Sequence, residues 1–170
     1  MKLTDLRPLV ARRRDGALSF DGFRTEPTLA ALRWPDDVLE PFPFDHGDNT
    51  AFVKAYNTID LHTITWQLET VPAAHFTGMP TGVSDEDCIE SYAEIPVHWV
   101  TVRPPQIARH RDEHGTWLRP PLLIGRRLLD PDAARLRVLE SRTRVGVLRG
   151  RRLREHLYVV PQHRARVGRQ

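Results

Sequence analysis

The sequence predicts an α+β domain, a small mixed sheet with helices, preceded by an N-terminal hairpin and helical elaboration. Three observations carry this. Of 170 residues, 40% are apolar and 28% charged, enough for one core and too apolar for wholesale disorder. Short apolar runs of strand length, such as Leu122-Leu123-Ile124 and Leu157-Tyr158-Val159-Val160, flank a stretch with helical spacing in the C-terminal third. Gly, Pro and Asp clusters punctuate the chain at short intervals. It reads as a single domain over 1–170, with residues 1–58 as the elaboration and 59–170 as the core.

Leu6 to Val10 and Ala17 to Phe20 flank Asp15-Gly16, a pattern that predicts a hairpin. Thr25-Glu26-Pro27-Thr28 opens a helix with Leu29, Leu32 and Trp34 on one face, stopped by Pro35. Pro41, Pro43 and Asp45-His46-Gly47-Asp48-Asn49 predict a loop. Residues 50–58 form a short helix carrying Phe52, Val53 and Tyr56. Between Ile59 and Val71 helical and strand spacings compete, and Thr63, Thr65 and Trp66 favour a strand. Ser84-Asp85-Glu86-Asp87 resembles a capping box for a helix ending near Ala93. Ile95 to Val102 is strand-like, with Pro96 placing it at an edge, and 103–116 is polar and turn-rich. Beyond Leu122-Leu123-Ile124 come a turn at Asp130-Pro131-Asp132 and a second strand through Leu136, Val138 and Leu139. A helix from Arg142 to about Glu155 follows, with Val145, Leu148 and Leu153 inward, then a third strand ended by Pro161.

No apolar run approaches the ~20 residues of a membrane helix. The N-terminus meets charges before any signal-peptide core, and Cys88 is the only cysteine. These features point to a soluble protein of the cytoplasm, without a disulfide framework or cysteine zinc cluster. The net charge of +3 hides a segregation. Residues 1–114 hold 11 Lys+Arg against 18 Asp+Glu, a balance of −7, whereas 115–170 hold 14 against 4, a balance of +10. A cationic third on an acidic body can bind a polyanion, a nucleotide or the acidic part of its own chain.

The segment Glu140 to Arg144 concentrates the chemistry. Ser141 is placed to cap the helix, whose first-turn amides and dipole favour an anion. Arg142 and Arg144 project from the same turn and can add charge-assisted bonds to a phosphate. Glu140, at the strand's end, can accept a proton or face a metal carried by a nucleotide. Ion pairing on the surface of an ordinary capped helix is the competing reading.

Leu122-Leu123-Ile124, then Leu136-Arg137-Val138-Leu139-Glu140-Ser141-Arg142-Thr143-Arg144 leading into Val145-Gly146-Val147-Leu148, resembles the core of the ParB/sulfiredoxin-like superfamily over about residues 118–161. The resemblance implies a strand, a basic loop and a helix N-terminus that cradles nucleotide phosphates. It makes Glu140 the candidate catalytic carboxylate, and Ser141, Arg142, Thr143 and Arg144 the ligand-binding residues, with a magnesium nucleotide as one candidate ligand. Serine-kinase members carry an acidic residue, Gly, two His and an Arg here; Glu140 and Arg144 match the first and last. Chromosome-partitioning members carry Gly-Glu-Arg-Arg, of which Arg144 matches. The sulfiredoxin cysteine falls where Arg142 stands, which excludes that chemistry.

A second class of function is a non-catalytic nucleic-acid binder using Arg149, Arg151, Arg152 and Arg154, joined by Arg164, Arg166 and Arg169. A third is a protein-interaction module docking an acidic partner. His110-Arg111-Asp112-Glu113-His114 has the spacing of an inverted zinc-peptidase motif, but its Pro- and Gly-bounded setting predicts a solvated turn and no metal. Asp45-His46-Gly47-Asp48 reads as loop chemistry. Trp34, Trp66, Trp99 and Trp117 lie outside the arginine-dense segment and read as core or half-buried anchors more than stacking platforms. Cys88, among acidic neighbours, lacks the field of a reactive thiol.

Overall fold

The computed structural model describes residues 1–80, 92–102, 104–129, 136–153 and 162–170. The predicted turn at Asp130, the capping box at Ser84, Cys88 and the strand at Leu157–Val160 lie outside them. The described chain is α+β, with helices around a four-stranded mixed sheet of order β1-β4-β2-β3. The strands are β1 (Thr65–Pro72), β2 (Leu122–Gly125), β3 (Leu136–Glu140) and β4 (Gln162–Arg169). β4 runs antiparallel to β1 and parallel to β2, and β2 is antiparallel to β3.

The N-terminal hairpin is not formed. Residues Arg7–Arg14 make helix α1, and Phe20–Thr25 make α2, opened by Ser19, whose hydroxyl accepts from the Gly22 amide. Leu3, Leu6 and Val10 are buried at helical spacing, and burying them as one stripe decides against strands. Asp15-Gly16 ends α1: Gly16 has φ 74°, its amide donates to Arg13 O, and the Ala17 amide donates to Arg12 O. That is a Schellman closure, which needs the same left-handed glycine as a hairpin turn. Short helices α3 (Pro27–Ala30), α4 (Asp36–Leu39) and α5 (Thr50–Tyr56) follow, with a wide π-type turn through Glu40–Phe44.

Two further elements differ from the sequence expectation. Pro96–Thr101 is helix α6 and not an edge strand, because Pro96 occupies the first helical turn, where its missing amide costs nothing. Pro105–His114 is helix α7 and not a solvated turn, again with proline at its start, and Gly115 at φ 62° closes it. No residue of α7 is buried, so it carries no apolar stripe for sequence reasoning to find. Helix α8 spans Arg142–Leu153, as predicted. The strand observed near the C-terminus lies beyond Pro161. In β4 His163, Ala165 and Val167 are buried while Gln162 and Arg164 are exposed, an alternation disguised by small and basic residues.

The sheet separates two cores. Leu122, Ile124 and Leu139 pack with the N-terminal helices around Phe23, Phe42, Trp34 and Trp66. Leu123, Val138, Ala165 and Val167 pack on the other face with Val145 and Leu148 of α8. Successive strand residues point to opposite faces, so β2 is buried on both sides. The residues before the sheet therefore form one of its covering layers. Leu122, Leu123 and Ile124 are all 0% exposed, the signature of a central strand.

On its outer side α8 approaches the backbone of Ala93 at Gly150, where an added Cβ would lie 2.3 Å from the Ala93 carbonyl oxygen. Alanine gains ~1 kcal/mol in helix propensity over glycine, but that clash forces a backbone shift costing ~1–3 kcal/mol. Gly150→Ala is therefore expected to lower the thermal midpoint. A midpoint at or above that of the parent would show that the contact yields freely.

Candidate functional site

The segment singled out in the sequence stands at a junction. β3 ends at Glu140, α8 begins at Arg142, and Ser141 between them is 4% exposed with φ 86°. This left-handed conformation is one that glycine adopts at no steric cost and serine rarely does. The Ser141 hydroxyl donates to Glu140 Oε2. Arg144 Nη2 donates to the same oxygen at 2.7 Å, while its Nη1 donates to Arg119 O at 2.8 Å. Arg144 is thus anchored to Glu140, which answers part of the positive charge at the helix start from within the chain. Both contacts use Oε2, and Oε1 has no partner among the described residues.

All five residues from Glu140 to Arg144 line a cavity of about 650 Å³. Its other walls come from distant parts of the chain: His46 and Phe52 from the N-terminal helices, Tyr92 and Trp99, Gln106 and Arg111 from α7, and the segment Thr116 to Arg119. Among the described residues the lining holds four arginines, Arg111, Arg119, Arg142 and Arg144, against one carboxylate, Glu140, a balance that favours an anion. Arg119 also pairs with Glu40 at 3.1 Å.

The tryptophans are buried or half-buried, and two of them also form cavity wall. Trp34 and Trp66 are core residues, packed edge to face with ring centroids 5.7 Å apart. Trp99 and Trp117 line the cavity that holds Arg142 and Arg144, and Trp117 belongs at the same time to the second core. Trp99 is half-buried and meets Tyr92 edge to face at 4.7 Å; Trp117 lies against Phe76 and His163 and donates Nε1–H to Arg164 O. Sequence separation hid them, since only the fold brings α6 and the loop after α7 opposite α8.

His46 is a second residue that sequence reasoning left as loop chemistry. Its Nδ1 lies 2.6 Å from Pro41 O, and its ring lies 5.2 Å from that of Phe52. A carbonyl can only accept, so Nδ1 carries the hydrogen and Nε2 is the acceptor of the neutral ring. Beside it, burial raises the Asp45 carboxyl above its ordinary value, and Glu40 and Glu140 push it further, against the opposing pull of Arg13.

The arginines assigned to nucleic acid are differently placed. Arg149 is 6% exposed and donates through Nε to Phe76 O at 2.5 Å and through Nη2 to Met79 O at 2.6 Å. It is an internal strut and presents no face to a polyanion. Arg151 donates to Asp112 at 2.6 Å, tying α8 to α7. Arg166 is held by Asp37 and Arg169 by both oxygens of Glu69. The Glu69 contact raises the Arg169 guanidinium above its ordinary value. Arg154 and the Arg152 side chain lie outside the described residues. The acids engaged here and at Arg119 all precede residue 115, so Arg119, Arg151, Arg166 and Arg169 of the basic third are answered by acids of the first 114 residues.

The histidines of the inverted zinc motif do share one face of α7, with His110 and His114 ring centroids 4.4 Å apart. Among the described residues no three His, Cys, Asp or Glu side chains come together as a metal site, and no helix is long and apolar enough to cross a membrane. Comparison with family models, curated proteins and solved structures finds no match to this chain.

Proposed function

We propose that the cavity at the β3–α8 junction binds a phosphorylated small molecule, with a nucleotide as the best-fitting class. The observation that carries this reading is the meeting, in one cavity, of an arginine-rich helix start with an aromatic wall. Arg142 and Arg144 receive the phosphates beside the first amides of α8. Trp99 and Trp117 offer surface against which a base can lie. The left-handed backbone at Ser141 supports the resemblance to ParB/sulfiredoxin-like domains, whose strand-to-helix loop has glycine at this point. Glu140, whose Oε1 has no partner among the described residues, serves as the carboxylate that accepts a hydroxyl proton or meets a magnesium ion carried by the nucleotide. Phosphoryl transfer is compatible with such a site, because that chemistry depends chiefly on positioning and charge stabilisation.

Binding of nucleic acid along α8 is the weaker reading, since Arg149 is buried on the carbonyls of Phe76 and Met79 and Arg151 is paired with Asp112. A thermal-shift screen with ATP, ADP, CTP and GTP, with and without magnesium, tests the proposal. A ligand present at 100 times its Kd is expected to stabilise by ~2.7 kcal/mol, with mild dependence on salt. Stabilisation by oligonucleotides alone, falling steeply with salt, would favour the basic-face reading instead.

A further inference from the structure

We infer that His46, supplied by the N-terminal helical layer, is a ligand-contacting residue of this cavity, accepting a hydrogen bond through Nε2 from the nucleoside part of the bound molecule. The inference rests on the nucleotide reading of the pocket and adds a residue far outside the segment that suggested it.

The imidazole is held in a defined orientation. Nδ1–H is committed to Pro41 O at 2.6 Å, and the ring is braced by Phe52. In the neutral ring this leaves a lone pair on Nε2, and Nε2 has no partner among the described residues. The ring lines the same cavity as Glu140, whose Oε1 likewise has no partner among the described residues. The ionised oxygens of a bare phosphate have no use for these acceptors, because they are themselves acceptors. A molecule with phosphates for the arginines and hydroxyl or amino hydrogens for His46 and Glu140 satisfies both ends, and a nucleoside phosphate is such a molecule. Three clustered ligands for a resident metal, the other use for such acceptors, are not found among the described residues. The wide turn at Glu40–Phe44 has a consequence here: it carries the Pro41 carbonyl that sets the tautomer.

Two substitutions separate the ring's nitrogens. His46→Asn keeps a donor near the Nδ1 position and removes the Nε2 acceptor; His46→Gln places an amide oxygen or nitrogen near Nε2 and gives up the Pro41 contact. Calorimetric titration of the full chain would compare ATP, CTP and GTP with inorganic tripolyphosphate. At least one nucleotide is expected to bind ten-fold or more tightly than tripolyphosphate. His46→Asn should erase that advantage, leave tripolyphosphate affinity unchanged and melt near the parent temperature, whereas His46→Gln should melt lower yet keep part of the nucleotide preference. Nitrogen-15 spectra of the parent protein give a variant-free check: His46 should show a protonated Nδ1 and a bare Nε2, with Nε2 shifting on addition of the nucleotide. Equal affinity for tripolyphosphate and nucleotides, or an unmoved Nε2 resonance, overturns the role of His46 while leaving the anion pocket standing. Failure of every nucleotide and of tripolyphosphate to bind overturns the pocket reading and this inference with it.

Discussion

Arg149→Ala is expected to destabilise the protein by about 3 kcal/mol, lowering its thermal midpoint by roughly 6–12 °C at this chain length. The guanidinium is buried and gives separate N–H groups to the carbonyls of Phe76 and Met79. Truncation leaves both acceptors without these donors and opens a void beneath α8, and each loss alone costs ~1–3 kcal/mol. Arg149→Lys should recover little, since a single ammonium cannot reproduce a planar fork reaching two carbonyls. Equilibrium urea unfolding reads the loss directly. A change below about 0.5 kcal/mol, the ordinary range for surface substitutions, would mean that Arg149 is an exposed binding residue after all.

Arg144→Ala is expected to act on both binding and stability. Losing a charge-assisted contact should weaken nucleotide affinity by ~1.5–3 kcal/mol. Dipole reasoning alone has folding barely affected, since a cation at a helix start is unfavourable. The structure changes that expectation, because Arg144 holds Glu140 at 2.7 Å and the Arg119 carbonyl at 2.8 Å. Their side chains are 25% and 17% exposed, between the weak surface pair and the costly buried one, so a stability loss of ~1–2 kcal/mol is expected. A double-mutant cycle with Glu140→Gln apportions the effects. The stability cost of Arg144→Ala should shrink in that background, whereas its cost to binding should persist. Unchanged nucleotide affinity in Arg144→Ala would make the arginine purely architectural and move the phosphate contact elsewhere. Any turnover should vanish in Glu140→Gln if Glu140 is the proton acceptor.

Local sequence determined a good deal. β2, β3 and the start of α8 were legible because their signals are strong and short-range: Leu122-Leu123-Ile124 buries every side chain, and the apolar spacing changes from strand to helix across Glu140-Ser141. The choice of Glu140 to Arg144 as a site was legible for the same reason, since its residues are neighbours in the chain and fall in one cavity. Elsewhere a local signal had two readings, and packing chose between them. Asp15-Gly16 suits both a hairpin and a Schellman closure, and the shared burial of Leu3, Leu6 and Val10 selected the helix. Pro96 and Pro105 suit an edge strand, a turn or a first helical turn, and the structure uses the last. Tertiary structure alone decided the remainder, because charge and exposure are properties of neighbours. Arg149 became a strut, and Arg166 and Arg169 became partners of Asp37 and Glu69, only when residues about 70 to 130 positions away were folded against them. His46, Trp99 and Trp117 became walls of one cavity by the same long-range closure, which no window of sequence contains.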